Sequence, residues 1–177
     1  MPGLAQAKKS KGRIQLRLFS FLAVLLAVTI TLLLFPFRTE LVIRDTKTNR
    51  LLWQTPVKEG STFGIRWTHS IHRTPVEEFY RIHHTDIVLY RMSFEDYGIG
   101  MNSELAPGEQ LIEQDGKFFV EHMNHSFSAL PIFIGQVRAN HTLLFEGHEI
   151  PFRTLDKPGS SVTVKVENHS LLAQMGG

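Results

Sequence analysis

Residues 63–82 read Phe63-Gly64-Ile65-Arg66-Trp67-Thr68-His69-Ser70-Ile71-His72-Arg73-Thr74-Pro75-Val76-Glu77-Glu78-Phe79-Tyr80-Arg81-Ile82. Phe63, Ile65 and Trp67 alternate with Gly64, Arg66 and Thr68, and after a polar interval Val76, Tyr80 and Ile82 repeat the pattern. A period of two marks a strand with one buried face. The stretch therefore predicts two strands of an antiparallel hairpin joined by a polar loop at residues 70–75. Continuing each apolar face towards the loop reaches His69 on the first strand and Glu78 on the second. If the two pair, they lie opposite or diagonal, about 5–8 Å apart at Cβ. Glu77 then points to the other face.

The same reading extends outward. Val88, Tyr90, Met92 and Phe94 form another stripe. Residues 41–44 and 51–54 flank a polar turn at 45–49. Further strands are expected at 117–122, 132–138, 143–145, 150–154 and 162–166, with a tight turn at Glu146-Gly147. Residues 95–115, with Gly98, Gly100, Pro107 and Gly108, resist strand assignment. Many short strands with no helical period predict an all-β domain, an antiparallel β-sandwich or a partly open barrel.

Upstream the chemistry changes. Residues 18–37 are uncharged and mostly apolar, and Lys8, Lys9, Lys11, Arg13 and Arg17 precede them with no anion. Twenty helical residues span about 30 Å, the hydrocarbon thickness of a bilayer. The basic flank belongs on the cytoplasmic side. The organisation expected is a basic cytoplasmic tail (1–17), a transmembrane anchor (18–37) and one domain outside the cytoplasm (38–177), in a single-pass cell-membrane protein held by lipid contacts. A cleavable signal peptide fits less well, because its apolar region is shorter, about 7–15 residues, and ends in small residues.

The net charge of +2 combines two opposite parts. Setting aside the five tail cations leaves 14 Lys and Arg against 17 Asp and Glu from residue 38 onward, or −3. The basic excess sits beside lipid, so no nucleic-acid partner is expected. All nine histidines lie in the domain and there is no cysteine. The domain must rely on packing instead of disulfides, and thiolate metal sites are excluded. His69/His72, His83/His84 and His122/His125 are close pairs, but a three-residue spacing on a strand points the partners apart, and no metal or other cofactor is assigned.

The densest polar cluster is therefore the candidate site, with His69, Ser70, Arg73, Glu77 and Glu78 as binding residues and Arg73 as an anion clamp. Gly98-Ile99-Gly100-Met101-Asn102-Ser103 begins like a phosphate loop but lacks the third glycine and a following helix. A hydrolase using His and Glu or a metal, and a pH-responsive structural module, are the rival classes.

Trp67-Thr68-His69-Ser70, then Arg73-Thr74, then Glu77-Glu78 resembles the opening signature of domain-of-unknown-function family 1850. Gly98-Ile99-Gly100-Met101, Ala106-Pro107-Gly108 and Asp115-Gly116 resemble its second segment, so the likeness runs from about residue 63 to 152. It brings Gly98 and Gly100 into the candidate site. The resemblance implies a bacterial exported domain and an accessory role beside tripartite (TRAP) transporters with TAXI-type solute receptors, which take up small organic anions. It implies a TRAP subunit or its receptor as partner, and no known activity. Ile71-His72 and Pro75-Val76 depart from the family's pattern.

Overall fold

A computed structural model describes residues 3–34, 36–96, 105–135 and 140–170, leaving aside the side chains of 3–16, 32, 36 and 37. Helix α1 spans Gly3–Leu34. Thr29 and Thr31 donate their hydroxyl hydrogens to the carbonyls of Leu25 and Ala27, each at 2.9 Å, so neither disturbs the helix. Pro36 has no amide hydrogen and disfavours a helical residue before it. The helix accordingly stops at Leu34, and Pro36 and Phe37 open the first strand. That corrects the expectation of one helical run over 18–37. Among the described residues no helix is long and apolar enough to cross a membrane. α1 belongs to a different unit from Thr39–Asn168, which holds the site.

The rest is strand. In chain order these are β1 (Pro36–Asp45), β2 (Leu51–Val57), β3 (Thr62–Thr68), β4 (Pro75–His83), β5 (Asp86–Phe94), β6 (Gln110–Gln114), β7 (Lys117–Glu121), β8 (His125–Phe127), β9 (Ala129–Phe133), β10 (Thr142–Phe145), β11 (His148–Pro151) and β12 (Ser161–Ser170). A short 3₁₀ turn, Phe152–Thr154, follows β11. One sheet has the order β2-β1-β12-β9 and the other β11-β10-β3-β4-β5-β7-β6, with β8 also on β5. The pairing is mostly antiparallel and no closed barrel forms. One buried apolar cluster draws on both sheets, from Leu41, Ile43, Val162 and Val164 on one to Phe63, Ile65, Tyr80 and Leu143 on the other.

Turn chemistry sets the hairpins. Asp45 Oδ1 accepts the amides of Lys47 (3.0 Å) and Thr48 (2.6 Å), closing the β1–β2 turn. Glu146 and Gly147 both have positive φ (47° and 78°), the twist a two-residue hairpin needs. Two strands were not foreseen. β6 lies inside the stretch expected to be loop, and all five of its residues are exposed, so no apolar stripe betrays it. β8 is three exposed residues. In the other direction, β9 occupies Ala129–Phe133, earlier than the 132–138 expected.

β1 and β12 are tied by a two-pronged ion pair. Arg44 Nε donates to Glu167 Oε1 at 2.9 Å and Nη2 to Oε2 at 2.8 Å, and Lys165 Nζ adds a contact at 2.8 Å. These bonds hold the Glu167 carboxyl down at about 2 against an ordinary 4.5. A depressed carboxylate stabilises the fold fully above about 4.5 and loses that contribution as pH falls towards 2. Both side chains keep some solvent, so Glu167→Gln is expected to cost about 1–2 kcal/mol at neutral pH. Denaturation midpoints of the two chains should converge as pH falls through that window.

Candidate functional site

The β3–β4 hairpin does form, with Thr68 opposite Pro75, Ile65 opposite Glu78 and Phe63 opposite Tyr80. The loop is tighter than its polar length implied. His69 N–H donates to the Thr74 carbonyl at 2.9 Å and Arg73 N–H to the His69 carbonyl at 3.0 Å. Arg73 takes a left-handed φ of 60°, which closes a four-residue turn. The position facing His69 is therefore Thr74, and Glu78 lies four residues further along. At about 3.3 Å per residue that is roughly 13 Å, so the expected His69–Glu78 pair is not formed.

The structure instead separates the candidate residues into three places. His69 organises its own turn. Its Nδ1 accepts the amides of Ile71 and His72, each at 3.3 Å, and only 8% of the residue remains exposed. Because the segment is a turn, His72 is not directed away as on a strand, and the two rings lie 5.1 Å apart. Ser70 is exposed at the turn. Arg73 borders a polar groove of about 330 Å³ on the outer side, with Thr68, Arg66 and Arg153. Glu77 is on that same face, 3.8 Å from Arg66 Nη1, and Arg66 also binds Glu149. Gly98 and Gly100 lie outside the described residues.

Glu78 alone enters the space between the sheets. It lines a cavity of about 550 Å³ with Trp67, Tyr80, Leu130, Ile132 and His141. The Tyr80 hydroxyl donates to Glu78 Oε2 at 2.7 Å. Burial pushes the carboxyl above its usual range, and the Tyr80 bond partly restrains it. Tyr80 in turn is pushed far up by burial and by the neighbouring carboxylate, so its hydroxyl stays protonated. A bulge in the β4–β5 pairing lies between Phe79 and Tyr80, beside this pair.

His141 is the residue that sequence reasoning missed. It precedes β10, which pairs with β3 so that Thr142 faces Arg66, and this brings the His141 ring 6.4 Å from Trp67. Its carbonyl accepts the Phe152 amide at 2.9 Å. Its Nδ1 is buried without a hydrogen-bond partner among the described residues, and burial lowers its basicity. No local signal marks it, since Trp67 and Glu78, with which it shares the cavity, are 74 and 63 positions away in the chain. Among the described residues no group of three or more His, Asp or Glu is placed to hold a metal ion.

A carboxyl that resists ionisation affects stability with a definite sign. Folding raises the pKa of Glu78 above the ordinary 4.5, so the folded chain holds the proton more tightly than the unfolded one. Its contribution then becomes unfavourable as pH climbs from about 4.5 through the folded value. Glu78→Gln keeps an acceptor for Tyr80 and removes the buried charge. It is expected to be more stable than the parent at pH 7, with the difference shrinking as pH falls towards 4. Thermal melts of both chains across that range check the sign.

The model of a family described as a domain of unknown function (DUF1850) matches residues 63–152, from the start of the β3 stripe to Phe152. That is half of the chain, and the chain belongs to this family. No curated protein and no solved structure matches it.

Proposed function

We propose that this member of the DUF1850 family is a membrane-anchored binding module. The apolar run beginning at Leu18 is its anchor, the basic tail lies in the cytoplasm, and the β-rich unit works outside. The observation that carries the binding reading is the cavity between the sheets. It joins the Glu78 carboxyl and the His141 ring to walls of Ile65, Leu130 and Ile132. Small-molecule sites have this make-up, a mostly apolar hollow of about 300–1,000 Å³ with a few placed polar groups. A fold gains nothing from burying a carboxyl in such a hollow, which favours its retention for a ligand. The role implied by family resemblance, an accessory of a TRAP-type transporter, is compatible with such a module and is included in the proposal.

The test is made on the full chain expressed with its N-terminus. Reporter fusions after Arg38 should be active only outside the cytoplasm. Native mass spectrometry of the detergent-solubilised protein should show an added small-molecule mass that Ile132→Trp removes. A reporter active only in the cytoplasm would overturn the topology. Identical spectra for the parent and the cavity-filling variant would overturn the binding site.

A further inference from the structure

We propose that the cavity takes an organic ammonium ion, a primary amine on an apolar or aromatic stem, with its charge on Glu78. The assignment rests on reading the cavity as a ligand site and adds the chemistry of its occupant. Three features of the lining point the same way.

The first is charge. Glu78 is the one carboxyl among the described lining residues, and none of those residues is a lysine or arginine. Among the described residues an ionised carboxylate there has only the Tyr80 hydroxyl to stabilise it, and a ligand cation supplies a charge partner. The second is hydrogen-bond polarity. Tyr80 already directs its hydrogen to Glu78, leaving the carboxylate as the acceptor at this end of the cavity. An ammonium group carries three hydrogens and no lone pair, so it matches an acceptor and would not match donors. The third is the wall. Trp67, Tyr80, Phe127 and Phe133 present rings around the same space, and aromatic rings attract ammonium groups while also covering an apolar stem. Phe133 is 56% exposed and Phe127 37%, so the hollow has apolar groups open to solvent for an incoming stem.

The same features disfavour the organic anions to which the family resemblance points. A carboxylate ligand would meet Glu78 with no described cation between them and would enter only if Glu78 were protonated. The cationic groove of Arg73 and Arg153 shares Trp67 with this cavity, but neither arginine lines it.

Three probes with one stem separate the possibilities: 2-phenylethylamine, 2-phenylethanol and 3-phenylpropionate, titrated calorimetrically into the detergent-solubilised full chain at pH 7.5. The amine is expected to bind at least about tenfold more tightly than the alcohol, and the carboxylate to bind least. Glu78→Gln should weaken the amine by about tenfold or more and leave the alcohol unchanged. Ile132→Trp, or Leu130→Phe should the first variant fail to fold, should abolish binding of all three. If the alcohol or the carboxylate equals the amine, or Glu78→Gln leaves the amine unchanged, the ammonium assignment is overturned while the cavity stands. If no probe binds, or binding survives both filling variants, the cavity itself is not the site and both readings fall.

Discussion

Alanine at position 152 is expected to cost about 3–5 kcal/mol, a large share of the total stability of a domain this size. Phe152 has no exposed surface and sits in the cluster shared by the two sheets. It lies in a one-turn 3₁₀ segment whose carbonyl accepts the amides of Leu155 at 3.0 Å and Asp156 at 3.1 Å. The ring therefore cannot be replaced by a shift of its own backbone without breaking that turn. Its amide also fixes the His141 carbonyl, so the loss should reach the cavity as well as the core. Urea denaturation should show a lower midpoint with an unchanged slope. Phe152→Leu, which keeps most of the volume, should cost less than about 1.5 kcal/mol. A loss below about 1 kcal/mol for alanine would mean that the ring is not the packing element described here.

The parts of this fold that could be read in the sequence are those fixed by nearest neighbours. Alternation at Phe63, Ile65 and Trp67 marks a strand, and β3 spans it, although its other face is covered as well, with Gly64 buried and Arg66 half-buried. Asp45 and the Glu146-Gly147 pair announce turns because their chemistry acts over two or three residues. β6 was hidden for the converse reason. An edge strand with both faces in water has no alternation to show, and only the Asp115-Gly116 turn (φ 53° and 74°) marks its end. The site was legible only in fragments. Glu78 was correctly placed on the inward face, yet its partner depended on register, and register depended on a turn that used four residues instead of the longer loop its polarity implied. His141 was beyond reach, because the β10–β3 pairing joins residues 76 positions apart. The apolar run from Leu18 was read as one helix through Phe37 because hydropathy does not distinguish Pro36 from a helix former, whereas backbone geometry does.

Trp67 should show the second large effect, with a signature that separates packing from binding. Like Met123, it is a partly buried residue packed against both buried clusters, the shared one and the smaller group of Val76, Phe94 and Val120. Its ring lies 6.1 Å from His69 and 6.4 Å from His141, so it spans the gap between the turn and the start of β10. Trp67→Ala is expected to cost about 3 kcal/mol, below the loss of a fully enclosed ring because part of its surface stays wet. Trp67→Phe should recover most of that stability, since the aromatic contact with the clusters persists. The optical signal should not recover. The chain has two tryptophans, and Trp53 packs edge-on against Phe145, with ring centres 6.2 Å apart. Phe145 is not among the residues lining the cavity. A ligand entering the space beside Trp67 should change the emission of the parent chain and of Trp53→Phe, and leave Trp67→Phe silent even where calorimetry shows that it still binds. A response that follows Trp53 instead would move the ligand to another part of the domain, whatever the stability measurements give.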